Sequence, residues 1–234
     1  VKLMLGNVAP TEFDLRFSIF GIPIRVHPLF WVVAAFMGWN PDDLKFTWIW
    51  IACVFVSILV HELGHAIMAK IFGWPPQIIL YHFGGLAVYQ PYSGLTTQRS
   101  IIISAAGPMA GFILFGIVWV FRYYSIRFGL WDGFSPQARG YIGLAFYDLI
   151  FINLYWGLIN LAPVLPLDGG HICEDICKSV KRYRGDILAL QISMVVAGGL
   201  AVYFFSQHMR YAGIMFALFG VFNFQMYQQR NRSW

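Results

Sequence analysis

At 234 residues, with 59% hydrophobic and only 12% charged side chains, the chain falls well short of the roughly one quarter charged residues of soluble domains. That balance excludes a water-soluble globular enzyme and points to a polytopic membrane protein. The net charge of +5 does not imply nucleic acid, because the basic residues lie between apolar runs, where topology and lipid headgroups account for them.

In chain order, Glu12 and Asp14 precede any long apolar run, so no cleavable signal pattern is evident. Residues 17–26 read as a short strand-like or interfacial segment. His27-Pro28 then opens a first span to about Trp39, short for the roughly 20 residues a crossing needs. Asn40-Pro41-Asp42-Asp43 is a turn. A second span covers about 46–72. Residues 77–95, with Gly84-Gly85 between two apolar stretches, fit a β-hairpin at the membrane surface.

A third span, about 99–122, contains Gly107-Pro108-Met109-Ala110-Gly111; the small residues permit close helix approach and the proline predicts a local break. The fourth, about 140–161, ends in Asn160-Leu161-Ala162-Pro163-Val164-Leu165-Pro166-Leu167-Asp168-Gly169-Gly170. Residues 171–186 read as an amphipathic, basic helix and loop, and two further spans, about 187–206 and 211–229, form a helical hairpin. The expectation is an all-α membrane protein with about six transmembrane helices and one small hairpin, forming a single domain. Eleven Lys and Arg then fall on the side of the N-terminus and five on the other, which puts both termini in the cytoplasm. Three cysteines, Cys53, Cys173 and Cys177, make no disulfide framework.

The second span carries His61-Glu62-Leu63-Gly64-His65. Histidines at i and i+4 leave one helix face close enough to ligate one metal ion, and the glutamate beside them can take a proton from water. Ionisable groups at membrane depth are functional by default, although a short pattern also arises by chance from hydrogen-bonded histidines and a buried acid. A catalytic zinc site needs a third protein ligand. Asp168 is the favoured candidate over Asp148: Pro163 and Pro166 stop regular helix, and Gly169-Gly170 permit a sharp turn. The alternative is a plain helix-terminal turn with a solvated aspartate. Asp148 reads as a helix–helix hydrogen bond or a water-lined gap, and His171 as a structural or cavity-lining residue. His27 reads as an interfacial anchor, and His82 and His208 as loop or interface residues. Cys173 and Cys177 read as packed thiols, with a second metal site including His171 as the alternative.

The two stretches together, with Ile22-Pro23-Ile24-Arg25-Val26-His27-Pro28, Phe83-Gly84-Gly85-Leu86-Ala87 and Ala106-Gly107-Pro108, resemble the site-2 protease family of intramembrane zinc metalloproteases over about 20–172. The resemblance implies one zinc ion on His61, His65 and Asp168, Glu62 as general base, and Asn160 near bound substrate. Leu161 departs from the proline often found after that asparagine. The resemblance also implies an endopeptidase acting on single-span membrane proteins in a bacterial or archaeal plasma membrane, in regulated proteolysis. Gly84 and Gly85 could then hold an unwound substrate strand by β-augmentation, or simply shape a structural hairpin. No PDZ or CBS pattern follows residue 186. The rival function is an inactive relative, or a zinc-binding scaffold or transporter, for which Glu62 is dispensable.

Overall fold

The structure, a computed structural model, describes residues 9–81, 84–91, 94–181 and 183–232. His82 and Phe83 of the expected hairpin, and Lys2 and Arg182 of the charge count, lie outside them. Two compact units emerge, Val1–Ser93 with Ala106–Gly157, and Gly94–Ala105 with Leu158–Trp234.

The first unit holds β1 (Leu15–Ile19), β2 (Ile22–Val26), α1 (Pro28–Met37), α2 (Leu44–Ile71), β3 (Pro76–Tyr81), β4 (Gly84–Tyr89) and most of α3 (Thr97–Arg127) and α4 (Pro136–Asn160). Its strands form one four-stranded sheet in the order β1-β2-β3-β4. β1 and β2 are antiparallel, β2 and β3 run parallel with Ile24 opposite Ile78, and β3 and β4 are antiparallel with Leu80 opposite Gly85. The strand period of two turns Ile22, Ile24 and Val26 of β2 inward. They pack with Phe30 and Ala34 of α1 and Ile51, Val54 and Ile58 of α2. The expected hairpin is therefore half of a mixed sheet, and the all-α expectation is corrected accordingly. The parallel β2–β3 pair joins segments far apart in sequence, a pairing that local pattern does not reveal.

Helix starts are fixed by side chains. His27 Nδ1 accepts from the Leu29 N–H at 3.1 Å, capping α1. Asp43 caps α2 by accepting from Lys45 N at 2.9 Å, and Tyr141 Oη of α4 donates to it at 2.6 Å. The Tyr141 bond, with the Lys45 N–H next, holds the Asp43 carboxyl below its ordinary range. Pro108 does not break α3, which runs through it as one helix of 31 residues. A single missing N–H is tolerated within a helix that packs closely on both sides of it.

The second unit contains the ends of α3 and α4, then α5 (Asp168–Val180), α6 (Gly185–Ser206) and α7 (Arg210–Arg232). Val164, Ala197, Ala201 and Phe216 form one small core, and Leu165, Leu190 and Met226 another. Glu174 of α5 accepts from Arg230 at 2.9 Å and pairs with Lys178 at 2.9 Å. Burial alone would raise its carboxyl, but these two cations outweigh it and hold it below the usual range.

Among the described residues four helices, α2, α3, α4 and α6, are long and apolar enough to cross a membrane, which makes this an integral membrane protein. The other two expected spans are of different character. α1 has ten residues, about half the usual crossing length. α7 has 23 residues but carries Asn223, Gln225, Gln228 and Gln229 as well as its arginines.

Candidate active site

α2 is apolar for most of its length, so the helix forms without interruption and brings His61, Glu62 and His65 to buried positions, 4%, 6% and 7% exposed. The spacing of four puts both imidazoles on one face, with their Nε2 atoms 3.2 Å apart and the rings nearly perpendicular at 79°. Zinc–nitrogen bonds of about 2.0–2.1 Å at a tetrahedral angle place two ligand nitrogens roughly 3.3 Å apart. The separation of the pair therefore matches that of two ligands of one zinc ion.

Two of the three side chains are accommodated by a residue that lacks one. A Cβ on Gly107 of α3 would overlap the His65 imidazole, and one on Gly85 of β4 would overlap the Glu62 carboxyl. A Cβ on Gly64 would collide with the Ala106 carbonyl, so α2 and α3 approach backbone to backbone there. Gly84, at φ +117°, adopts a conformation that other residues rarely take. The Gly84-Gly85 and Ala106-Gly107-Pro108 stretches noted in the sequence thus both border the paired histidines or their glutamate.

Tyr81 at the end of β3 was not singled out by sequence. Burial pushes its hydroxyl above the ordinary range, and the negative charge of Glu62 adds to the shift. An aromatic residue closing an apolar strand gives no sign of such a neighbour.

In the second unit, Asn160 is the last residue of α4 and is 7% exposed. The chain then turns through 161–167, with a cis Leu165–Pro166 peptide, and Asp168 opens α5, where a carboxylate is favoured by the helix dipole. Gly169 and Gly170 back directly onto this turn: a Cβ on the first would overlap the Leu161 carbonyl, and on the second the Leu165 backbone. Irregular backbone in apolar surroundings needs partners for its peptide groups. Leu165 N–H donates to Ser193 Oγ at 3.2 Å, and Asn223 Nδ2 donates to the Leu165 carbonyl at 2.7 Å. Ser193 Oγ also donates to the Pro163 carbonyl at 3.3 Å. Ser193 and Asn223, both fully buried, hold the segment that presents Asp168. A serine and an asparagine inside apolar helices were the only sequence signal.

The remaining candidates separate. Asp148 is buried on α4 and makes no hydrogen bond or ion pair among the described residues, so of its two readings, a helix–helix bond or a water-lined gap, the first is not formed. His171 is half-buried on α5, and His208 sits in the α6–α7 turn with φ +59°. Burial raises the Cys173 thiol to about 11, and Cys177 beside it adds to this. Cys173 thus remains a neutral thiol, packed beside Cys177 on α5.

Comparison with known proteins then supplies the family. The model of peptidase family M50 matches residues 49–143 and 138–205. A zinc metalloprotease of Methanocaldococcus jannaschii is 29% identical over 195 residues, covering 82% of this chain and 52% of that protein. Stage IV sporulation protein FB of Bacillus subtilis is 26% identical over 214 residues, covering 90% of this chain and 68% of that one. The chain thus spans about half the length of the archaeal relative. The solved site-2 protease from Methanocaldococcus jannaschii matches with a TM-score of 0.56 at 25% identity, over 93% of this chain and 94% of that one. Both motif-bearing segments lie inside the matched region, and the chain belongs to peptidase family M50.

Proposed function

We propose that this protein is an intramembrane zinc endopeptidase that hydrolyses peptide bonds in or beside transmembrane segments of single-span membrane proteins. The observation that carries the reading is the pair of buried histidine nitrogens at zinc-sharing distance with a glutamate between them. His61, His65 and Asp168 are the proposed ligands of a single zinc ion, a donor set of two imidazoles and a carboxylate that suits zinc with one position left open. The bound ion would supply Lewis acidity, polarising the scissile carbonyl and bringing the pKa of water toward about 7. Glu62 accepts the proton of the attacking water and returns it to the leaving amine. Gly85 leaves the space in which that carboxyl moves.

A peptide in a transmembrane helix has its carbonyls hydrogen-bonded internally, so the substrate must unwind before attack. Among the described residues β4 pairs with β3 alone, and its other edge is the proposed receptor for the unwound strand. Asn160 is assigned to substrate carbonyls. In this reading the chain crosses the membrane six times, with both termini cytoplasmic and the site nearer the cytosolic face. The protease takes part in regulated proteolysis.

Glu62→Gln tests the mechanism directly. Zinc content of the purified variant should match wild type, while cleavage of a single-span reporter falls by about 10²–10⁴-fold, the share usual for a general base. Undiminished cleavage by that variant would overturn the assignment and favour a zinc-binding scaffold or transporter.

A further inference from the structure

Away from the paired histidines, the connection between α3 and α4 borders a half-open pocket of about 250 Å³. Arg122 and Ser125 line it from the last turns of α3, Trp131 and Asp132 from the loop, and Arg139 and Phe146 from α4. Two arginines, both exposed, thus border one pocket, and neither forms an ion pair among the described residues. Asp132 lines the same cavity, yet it is paired with neither arginine. The Trp131 Nε1–H is buried and has no acceptor among the described residues. That N–H has no accessible surface, so contacts with a bound group fall to the arginines at the rim.

The position narrows the chemistry of that acceptor. α3 and α4 are both long enough to cross a membrane, so their connected ends lie at the level of the headgroups. The inner wall is apolar and aromatic: Phe146 packs 6.4 Å from Trp131 and 5.9 Å from Phe121. Arginine forks suit phosphate oxygens, to which they bond bidentately. A carboxylate in the same cavity would repel a bare anion but suits an ammonium group placed beside the phosphate.

We propose that this cavity binds the headgroup of a membrane phospholipid of the phosphoethanolamine type. Arg122 and Arg139 bind the phosphodiester, and Asp132 binds the ammonium. Phosphodiesters lie at both membrane faces, so the site does not depend on which side the loop occupies.

Native mass spectrometry of the detergent-purified, delipidated protein provides the test, using phosphatidylethanolamine, phosphatidylglycerol, diacylglycerol and inorganic phosphate as separate probes. Wild type should retain phosphatidylethanolamine best and diacylglycerol not at all. Arg122→Gln with Arg139→Gln should lower retention at least about tenfold, the loss expected for a charge-assisted contact. Arg127→Gln, at the same helix end but outside the cavity, should leave it unchanged. Arg139→Gln alone provides an independent variant should the double one fail to fold, and it should weaken retention of both phospholipids. Asp132→Asn should erase the preference for phosphatidylethanolamine over phosphatidylglycerol. Equal retention by the arginine variant, or by diacylglycerol, would overturn the site. Thermal stabilisation by inorganic phosphate equal to that by the lipid would overturn the headgroup assignment in favour of a free phosphate ion.

Discussion

Polar groups enter apolar surroundings in two different ways in this protein. On α2, the helix is regular and its own peptide groups are satisfied, so the histidines and glutamate need only space. That space comes from neighbours reduced to glycine at positions 85 and 107, and from the close helix approach at Gly64. Around Asp168 the backbone itself is irregular, and what it needs is partners, supplied by Ser193 and Asn223. The first segment is sensitive to added volume and the second to lost hydrogen bonds, and substitutions of opposite kind should separate them.

The largest effect is expected from Gly107→Val. The new side chain would occupy the place of the His65 imidazole, so bound zinc and cleavage should both fall to background while the helix content by circular dichroism is kept. Normal zinc in this variant would show that His65 can be displaced without consequence. Next, Asp168→Ala should lower zinc occupancy several-fold while Asp148→Asn leaves it near wild type; metal analysis of the two purified proteins decides between the aspartates.

A smaller loss should follow Asn223→Leu. It keeps the branched side-chain shape but leaves the buried Leu165 carbonyl without its donor, at a cost of about 1–3 kcal/mol. The unfolding temperature should drop, and activity should fall in part rather than vanish. Ser193→Ala should act in the same direction. Both variants should keep their zinc once folded, whereas crowding at position 107 removes it, so metal content separates the two kinds of damage.

How much of this was legible beforehand differs between the same two segments. His61, Glu62 and His65 stand out because ionisable groups are costly in an uninterrupted apolar helix and seldom sit there without a task. Asp168 stands out less, and only because proline and glycine surround it. Ser193 and Asn223 gave almost no signal: a serine and an asparagine in apolar helices are common, and which carbonyl they meet depends on packing. The sheet was half visible for a related reason. β3 and β4 are neighbours in sequence, whereas the β2–β3 pairing is set by tertiary contact. Pro108 misled, since its ring fits inside a helix whose neighbours tolerate the missing donor.

The smallest expected effect concerns β1 and β2, where neither device operates. Asp14 accepts from Thr11 N at 3.0 Å, Thr11 Oγ1 at 2.7 Å and Arg25 Nη1 at 3.0 Å. Burial by itself would raise its carboxyl, but the Thr11 and Arg25 bonds outweigh it and lower the pKa from 3.8 to about 2. A depressed value means stability that is fully present above pH 3.8 and is lost as the pH falls through about 2. Amide exchange in β1 and β2, corrected for intrinsic rates, should accelerate over that interval, and Asp14→Asn should remove the pH dependence. An unchanged profile in the variant would show that the hairpin does not rely on this carboxylate.

The contact between Asn223 and Leu165 bears on how far the protein can be shortened. The family match ends at residue 205, ahead of α7, and trimming the chain there would look harmless by every motif it contains. Yet Asn223 lies on α7 and reaches back to the turn before Asp168. A chain cut at the family boundary would keep every proposed ligand while losing the donor that shapes the turn beside one of them. The minimal folding length is therefore longer than the minimal recognisable one, and a separately added α7 peptide should restore function to the shortened protein.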